Sequence, residues 1–104
     1  MTESALVKNT LRALELRGVW AWRANSGTLM IQGRMFKGAP AGTPDILGVI
    51  NGKLFGLEAK TTKGKVSETQ RVWHSRAERE GVRVGVFRTV GEALGFVETW
   101  RKAG

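Results

Sequence analysis

Cysteine is absent from the 104-residue sequence, which excludes disulfides and zinc–thiolate sites. A chain without cysteine suits a reducing compartment, so we expect a cytoplasmic protein. Histidine is nearly absent as well. The single one, His74, cannot build a histidine-rich metal site, and we expect it at the surface or boundary of a helix. If the protein is an enzyme, carboxylates and lysine must carry the chemistry.

Long apolar runs are also missing. No stretch approaches the roughly 18 apolar residues that a transmembrane helix needs. The first residues, Met-Thr-Glu-Ser, have neither the basic nor the apolar region of a secretory signal, so we expect no association with a membrane. The hydrophobic content of 41% is enough for one modest core. The predicted organisation is therefore a single domain over residues 1–104.

Acidic residues are few. The sequence has 9 aspartates and glutamates against 17 lysines and arginines, which gives a net charge of +8. An excess of positive charge of this size favours a polyanionic partner, and nucleic acid is the commonest one.

A tight hairpin is the strongest local signal in the chain. Two apolar runs flank Asn51-Gly52, and this dipeptide suits a type I′ turn because both of its central residues need positive φ. A two-residue loop also determines which residues face each other. Ile50 then faces Lys53, and further along the same ladder Asp45 faces Glu58.

Two opposed carboxylates would destabilise a sheet unless something held them together. A divalent cation is our interpretation, because hard cations prefer carboxylate oxygens. Lys60 lies two residues beyond Glu58 and therefore on the same face, whereas Ala59 points away. Two acids and one amine at one point are what metal-assisted hydrolysis of a phosphodiester requires. The alternative is a structural Glu58–Lys60 ion pair with Asp45 as a turn residue.

The first predicted helix covers residues 3–17, with Thr2 as its N-cap and Gly18 at its end. Its apolar stripe, extended towards the N-terminus, reaches Glu3. This carboxylate could approach a site on the sheet, or it could simply be favoured by the helix dipole.

Two further helices begin at capping boxes. Ser67 and Gln70 open a helix that ends near Gly81, and Thr89 and Glu92 open the last one. Gln70 has two interpretations, as the reciprocal cap or as an amide that reaches the site.

The remaining pattern predicts strands over 19–25, 28–31 and 82–88, and a loop over 32–42 that orders against a ligand. With the hairpin, this order predicts an α/β fold with a mixed central sheet flanked by helices. Both hairpin strands are apolar on both faces, which is typical of the middle of a sheet covered on two sides.

Basic side chains surround the predicted site. Lys63 and Lys65 follow it directly and could neutralise phosphates or belong to a solvated loop. We expect the DNA-binding residues to be Arg23, Asn25, Arg34, Lys37, Lys63, Lys65 and Arg71. Met35-Phe36 could be a dimer contact or a base-stacking wedge, although packing is the interpretation we favour.

Taken together, these motifs resemble the VRR-NUC family of the PD-(D/E)XK nuclease superfamily. The motifs, which span nearly the whole chain, are Glu3, Arg23-x-Asn25-x-Gly27, Gly42-x-Pro44-Asp45, Glu58-x-Lys60 and Ser67-x-x-Gln70. The resemblance implies a restriction-endonuclease-like αβββαβ core. It also implies the stand-alone form of phages and bacteria, which is similar to Holliday-junction resolvases and is expected to be a homodimer in a bacterial or phage-infected cell.

The resemblance assigns roles to six residues. Asp45 and Glu58, helped by the carbonyl of Ala59, would bind Mg²⁺ or Mn²⁺, and Glu3 would complete the acidic cluster. Lys60 would orient or deprotonate the attacking water. Gln70 would orient Lys60 or the nucleophile. The implied function is a structure-selective DNA endonuclease for four-way junctions. The alternatives are a nuclease for flap or duplex DNA and a catalytically silent, basic nucleic-acid-binding module.

Overall fold

The computed structural model describes residues 1–24 and 28–104. The chain forms, in order, α1 (Glu3–Leu16), β1 (Trp20–Arg23), β2 (Thr28–Ile31), β3 (Arg34–Lys37), β4 (Ile46–Ile50), β5 (Lys53–Ala59), α2 (Glu68–Arg79), β6 (Arg83–Phe87) and α3 (Val90–Ala103). The predicted order of elements is confirmed, with β3 as an addition.

Four strands form a mixed central sheet in the order β1-β4-β5-β6. β4 pairs antiparallel with both β1 and β5, and β6 runs parallel to β5. The parallel connection between β5 and β6 contains α2, as a crossover between parallel strands requires. The predicted α/β class with a mixed central sheet is confirmed.

The segment predicted as a loop over 32–42 contains a strand instead. β3 pairs with β2 in a separate hairpin, in which Ile31 faces Arg34. The turn residues Gln32 and Gly33 have φ of 51° and 75°. This is again a tight turn with positive φ at both central residues. The prediction was wrong because Gln is a less usual residue than Asn at positive φ, so the turn signal is weak.

The hairpin of β4 and β5 has the predicted register. Ile50 faces Lys53 and Val49 faces Leu54. Asn51 and Gly52 adopt φ of 52° and 78°. The two-residue turn is therefore confirmed, and with it the alignment of the residues at the open end of the hairpin.

All three helices begin at the predicted caps. The Thr2 hydroxyl accepts a hydrogen bond from the Ala5 N–H at 3.1 Å. Ser67 and Thr89 each open a full capping box. Such caps satisfy backbone donors that a helix leaves free at its N-terminus.

One face of the central sheet carries the hydrophobic core. α1 and α3 pack against each other and against this face. Burial of these apolar side chains is the main stabilising contribution to the fold. The core contains Leu6, Val7, Leu14, Val19, Ile46, Ile50, Phe55, Leu57, Ala59, Phe87, Ala93 and Val97.

The opposite face is only partly covered, contrary to the expectation of a sheet buried on two sides. α2 packs beside β6 and above β5, so the β1 and β4 part of this face lacks a helix within the described residues. Leu47 and Val49 are half-buried here. Leu54 and Trp22 are each 37% exposed, and Trp20 is 71% exposed. The apolar pattern of β4 predicted burial on both faces. This prediction was wrong because the composition of a strand does not show how far a helix extends over the sheet.

In the described part of the chain, none of the helices has the length and apolar character needed to cross a membrane.

Candidate metal and catalytic site

Asp45 and Glu58 face each other where β4 begins and β5 ends. The Asp45 carbonyl accepts the Ala24 N–H at 2.9 Å, which continues the pairing of β1 and β4 by one step. The Asp45 Oδ2 accepts the Ala59 N–H at 2.8 Å. This bond ties the carboxylate to the backbone of β5, beside Glu58. The opposition that the hairpin register predicts is therefore present.

Glu58 is 1% exposed. Burial, with the adjacent Asp45 carboxylate second, raises its pKa to about 9, and the two side chains are close enough to share a hydrogen bond. The Lys60 ammonium lowers this pKa and the Glu3 carboxylate raises it, but both effects are smaller. Without a cation, Glu58 therefore keeps its proton at neutral pH.

Lys60 is 8% exposed and lies on the same sheet face as Glu58. Its N–H donates to the Phe87 carbonyl at 3.0 Å, which holds this residue beside β6. Among the described residues, the only basic and acidic side chains within 4.0 Å of each other are His74 and Glu58. The structure thus gives no support to a Glu58–Lys60 ion pair.

His74 is a buried neighbour of Glu58, whereas the sequence predicted a residue at the surface or at the boundary between surface and core. Its Nε2 lies 3.3 Å from the Glu58 Oε1. Burial lowers the pKa of His74, so the ring is neutral at pH 7 and can donate Nε2–H to the carboxylate. The signal was present: Gln70, Trp73 and Ala77 mark one helix face, and His74 occupies the missing i+4 position on it.

Gln70 completes the helix cap. Its Oε1 accepts the Ser67 N–H at 2.9 Å, while its own N–H donates to the Ser67 hydroxyl at 3.2 Å. The side chain is half-buried and lies one turn before His74 on α2. Its contribution to the site remains a prediction.

Glu3 is the first residue of α1 and is half-buried. It lies close enough to affect the pKa of Glu58. Within residues 1–24 and 28–104, however, no three acidic or histidine side chains are grouped closely enough to hold a metal ion. The acidic site is a pair in this structure, and the participation of Glu3 remains a prediction.

The residues present fit a hard divalent cation such as Mg²⁺ or Mn²⁺. Asp45 and Glu58 offer adjacent carboxyl oxygens, and a bound cation would favour the charged form of Glu58 that burial and Asp45 disfavour. The N–H of Ala59 points towards Asp45, and the N–H and C=O of one strand residue point to the same neighbour. The Ala59 carbonyl is therefore on the Asp45 side of β5, as a third oxygen donor would need to be.

Close packing around Pro44, Gly56 and Gly42 positions Asp45, and sequence reasoning did not single out this role. Pro44 is fully buried. A Cβ at Gly56 would lie 2.8 Å from the Pro44 Cγ, so only glycine allows Pro44 to pack across the hairpin. At Gly42, φ is +88° and a Cβ would collide with the Thr69 carbonyl of α2. The small residues of the Gly-x-Pro-Asp motif thus hold the loop against β5 and α2.

The predicted DNA-binding residues that the structure describes are exposed. Arg23 donates from Nη2 to the Ser4 carbonyl at 3.4 Å, beside Glu3. Arg71 donates to the Val66 carbonyl at 3.4 Å. Lys63, Lys65 and Arg34 also lie at the surface. Asn25 and the side chains of Lys37 and Met35-Phe36 lie outside the described residues.

The fold and site define a class of α/β domain: a mixed sheet with helices on both sides and an Asp facing a Glu-x-Lys. Among solved structures, a VRR_NUC domain matches with a TM-score of 0.65, covering 94% of this chain and 97% of that chain at 22% identity. No family model and no curated protein matches the sequence. The likeness establishes the fold. The fold expected from the resemblance of the motifs is therefore confirmed.

Proposed function

We propose that the protein is a metal-dependent DNA endonuclease that hydrolyses phosphodiester bonds, acting on four-way junctions as a homodimer. The observation that carries the proposal is the contact of half-buried Asp45 with buried Glu58, with Lys60 on the same face. The likeness to a VRR_NUC domain supports it, since a site of this composition lies within a matching fold.

Asp45, Glu58 and the Ala59 carbonyl would hold Mg²⁺ or Mn²⁺, with Glu3 contributing directly or through water. When bound, the cation supplies charge neutralisation at the phosphate and a lower pKa for a coordinated water. The Ala59 N–H fixes one oxygen of Asp45. With Glu58 ionised by a bound cation, the Nε2–H tautomer of His74 would donate to one oxygen of Glu58 and leave the other available.

Lys60 would act on the reacting groups. Its ammonium lies near Glu58 in a buried position, where a positive charge is far more effective than in water. It would orient the attacking water and balance the negative charge that develops on the phosphate. The expected products carry a 5′-phosphate and a 3′-hydroxyl.

The choice of DNA is supported by charge. The net charge is +8, and Lys63 and Lys65 are exposed directly after β5, where they would meet phosphates that flank the cut. A four-way junction presents two symmetry-related strands, and a two-fold dimer would place one site at each.

A cleavage panel tests the proposal. Four-way junction, flap, splayed-arm and linear duplex substrates are incubated with Mg²⁺ and with Mn²⁺, for the wild type and for Asp45→Asn purified in parallel. Symmetric nicks in the four-way junction alone, absent in the variant, support junction resolution. Cleavage of flap or duplex DNA instead supports those substrates. Equal cleavage by both proteins overturns the nuclease assignment.

The second candidate is a catalytically silent, basic nucleic-acid-binding module. It is favoured by the absence, within the described residues, of a third acidic group at the Asp45–Glu58 pair. Calorimetric titration with Mn²⁺ separates the two candidates. A nuclease should bind Mn²⁺ in the wild type and lose this binding in Asp45→Asn, whereas a silent module should take up no ion in either protein.

A further inference from the structure

A groove of about 630 Å³ runs along β1 beside α1. We call it the β1 groove, and its lining residues include Trp20 and Trp22 of β1 and the cationic residues Lys8, Arg12 and Arg23. β1 is an edge strand: it pairs with β4, and its other edge has no strand partner in the part of the chain that the structure describes.

The two tryptophans form one aromatic surface. Trp20 is 71% exposed and Trp22 is 37% exposed. Their ring centroids are 5.4 Å apart and the planes are inclined at 53°. A single exposed ring is common on a protein surface. Two neighbouring rings on the same sheet face as the 37% exposed Leu54 form an apolar patch of the kind that marks a binding site.

The rim of the β1 groove is cationic. Lys8 and Arg12 are exposed on α1, and no carboxylate lies within 4.0 Å of either among the residues described. The acidic lining residue is Glu15, against three cations. Aromatic rings on which bases stack, combined with cations that contact the backbone, are the features that bind single-stranded nucleic acid.

The β1 groove leads to the catalytic pair. Trp22 faces Leu47 in the ladder, so both rings lie on the sheet face that carries Asp45 and Glu58. α1, with Lys8 and Arg12, packs on the other face, and the groove follows the open edge of β1 between the two. At the other end of β1, Ala24 is bonded to the Asp45 carbonyl at 2.9 Å. The four residues of β1 span roughly 13 Å, which is the length of two or three nucleotides in an extended strand.

We propose that the β1 groove binds unpaired nucleotides of the DNA strand adjoining the phosphate to be cut. Trp20 and Trp22 stack on the bases, and Lys8, Arg12 and Arg23 contact the phosphates. This inference rests on the proposed function and deepens it: the strand that adjoins the cut is unpaired where it lies in the β1 groove, as at the branch point of a junction whose base pairs the protein opens.

A second copy of the chain fits the same surface less well. In a two-fold contact the same patch of each copy meets. A contact through this groove would bring together the three cations and the single carboxylate of each copy, and this excess of positive charge would add repulsion at the interface. The charge of the groove therefore favours a polyanion.

Binding of a fluorescently labelled oligothymidine of about 12 nucleotides, measured by anisotropy in Ca²⁺ without Mg²⁺, tests the inference. Trp20→Ala with Trp22→Ala should weaken binding by roughly 10- to 100-fold. The double Trp→Phe variant keeps two aromatic faces and should stay within several-fold of the wild type. Leu16→Ala is the matched control, since Leu16 is 77% exposed on α1 but does not line the groove, and its affinity should not change.

Salt dependence provides an independent measurement. Arg12→Gln should reduce the slope of log affinity against log salt by about 0.7, the value for one lost phosphate contact on a single strand.

Trp20→Ala alone is the variant least able to disturb folding, because its ring is largely in solvent. A melting curve by circular dichroism checks each variant before binding is measured.

Failure of this inference and failure of the proposed function have different signatures. If the protein is no nuclease, the wild type cleaves nothing, although the Trp→Ala variants still lose the oligonucleotide. If the β1 groove does not bind DNA, Trp→Ala variants bind oligothymidine as the wild type does. Sedimentation of the same samples adds one more overturning result: conversion of a wild-type dimer to a monomer by Trp20→Ala with Trp22→Ala would make the groove an interface between copies.

Discussion

The two faces of the central sheet differ in what they bury. On the face of α1 and α3, Ile46, Leu57 and Phe87 are wholly inaccessible to solvent. On the other face, Glu58 and Lys60 are almost as deeply buried, although they are ionisable. Because successive strand residues alternate between faces, β5 supplies the core and the candidate site from adjacent positions. Rigidity comes from one face, and the groups available for chemistry come from the other.

The second face is also uneven along its length. Near β5 and β6, α2 covers the ionisable groups, while near β1 two indole rings remain in contact with solvent. Burial of Glu58 raises its pKa to about 9, so this part of the face opposes folding at neutral pH unless a proton or cation is bound. The following predictions test the division between the two faces, beginning with the largest expected effect.

Glu58→Gln should abolish cleavage, by about 10³-fold or more, since it removes a charged ligand of the proposed cation while keeping the shape of the side chain. The protein should stay folded, and its melting temperature should not fall, because an isolated buried acid is replaced by a neutral amide. Cleavage is measured under single-turnover conditions with Mn²⁺. Undiminished cleavage would remove Glu58 from the site.

Leu57→Ala should lower stability and leave the metal site intact, the reverse of Glu58→Gln. It removes a fully buried side chain on the core face, and such truncations reduce the free energy of unfolding by about 2–5 kcal/mol. Denaturation in urea measures the loss. At a temperature where the variant is folded, Mn²⁺ affinity should match the wild type. A variant that loses Mn²⁺ binding while its unfolding energy is unchanged would contradict the separation of the two faces.

The free energy of unfolding should fall as pH rises above neutrality, and bound Mn²⁺ should reduce this fall. The unfolded chain releases the Glu58 proton near 4.5 and the folded chain keeps it up to about 9. Between these values the folded state binds more protons, so the free energy of unfolding falls as pH rises.

His74 acts in the opposite direction, because its pKa is lowered on folding from 6.5. Its contribution is complete above that value and is lost as pH falls through the folded pKa. Melting temperatures in chelator from pH 7 to 9 therefore isolate Glu58. They should decline in the wild type, decline less with saturating Mn²⁺, and show little decline in Glu58→Gln. An equal decline in all three samples would assign the effect to other groups.

His74→Leu should weaken Mn²⁺ binding by about 10- to 100-fold, the usual effect of losing a residue that orients a metal ligand. Its volume is kept while its donor to Glu58 is removed. His74→Gln places a donor near the same position and should recover most of the affinity. Calorimetry gives both values, and equal losses in the two variants would indicate a packing role instead.

Much of the fold follows from local patterns. The capping boxes at Ser67 and Thr89 and the Asn51-Gly52 turn all occur where the sequence predicts them. The strand β3 was not predicted, because the Gln32-Gly33 turn that precedes it is a weaker turn signal than Asn51-Gly52. Where a turn or cap depends on neighbouring residues alone, the sequence was a sufficient guide.

The candidate site divides in the same way. Asp45, Glu58 and Lys60 are predicted from the hairpin register, and the structure brings the first two into contact. His74 was missed, although its helix face was recognised. A helical pattern shows which side chains share a face, but it does not show which strand residue that face will meet.

By itself the sequence determined the hairpin turn, and the turn determined that Asp45 faces Glu58, because a two-residue loop leaves one register available. Tertiary structure decided that His74 reaches Glu58, that Glu3 lies near the pair without forming a compact cluster with it among the described residues, and that Trp20 and Trp22 stay exposed. These contacts join segments far apart in the chain. They depend on how helices pack across the sheet, and this packing is a property of the whole core.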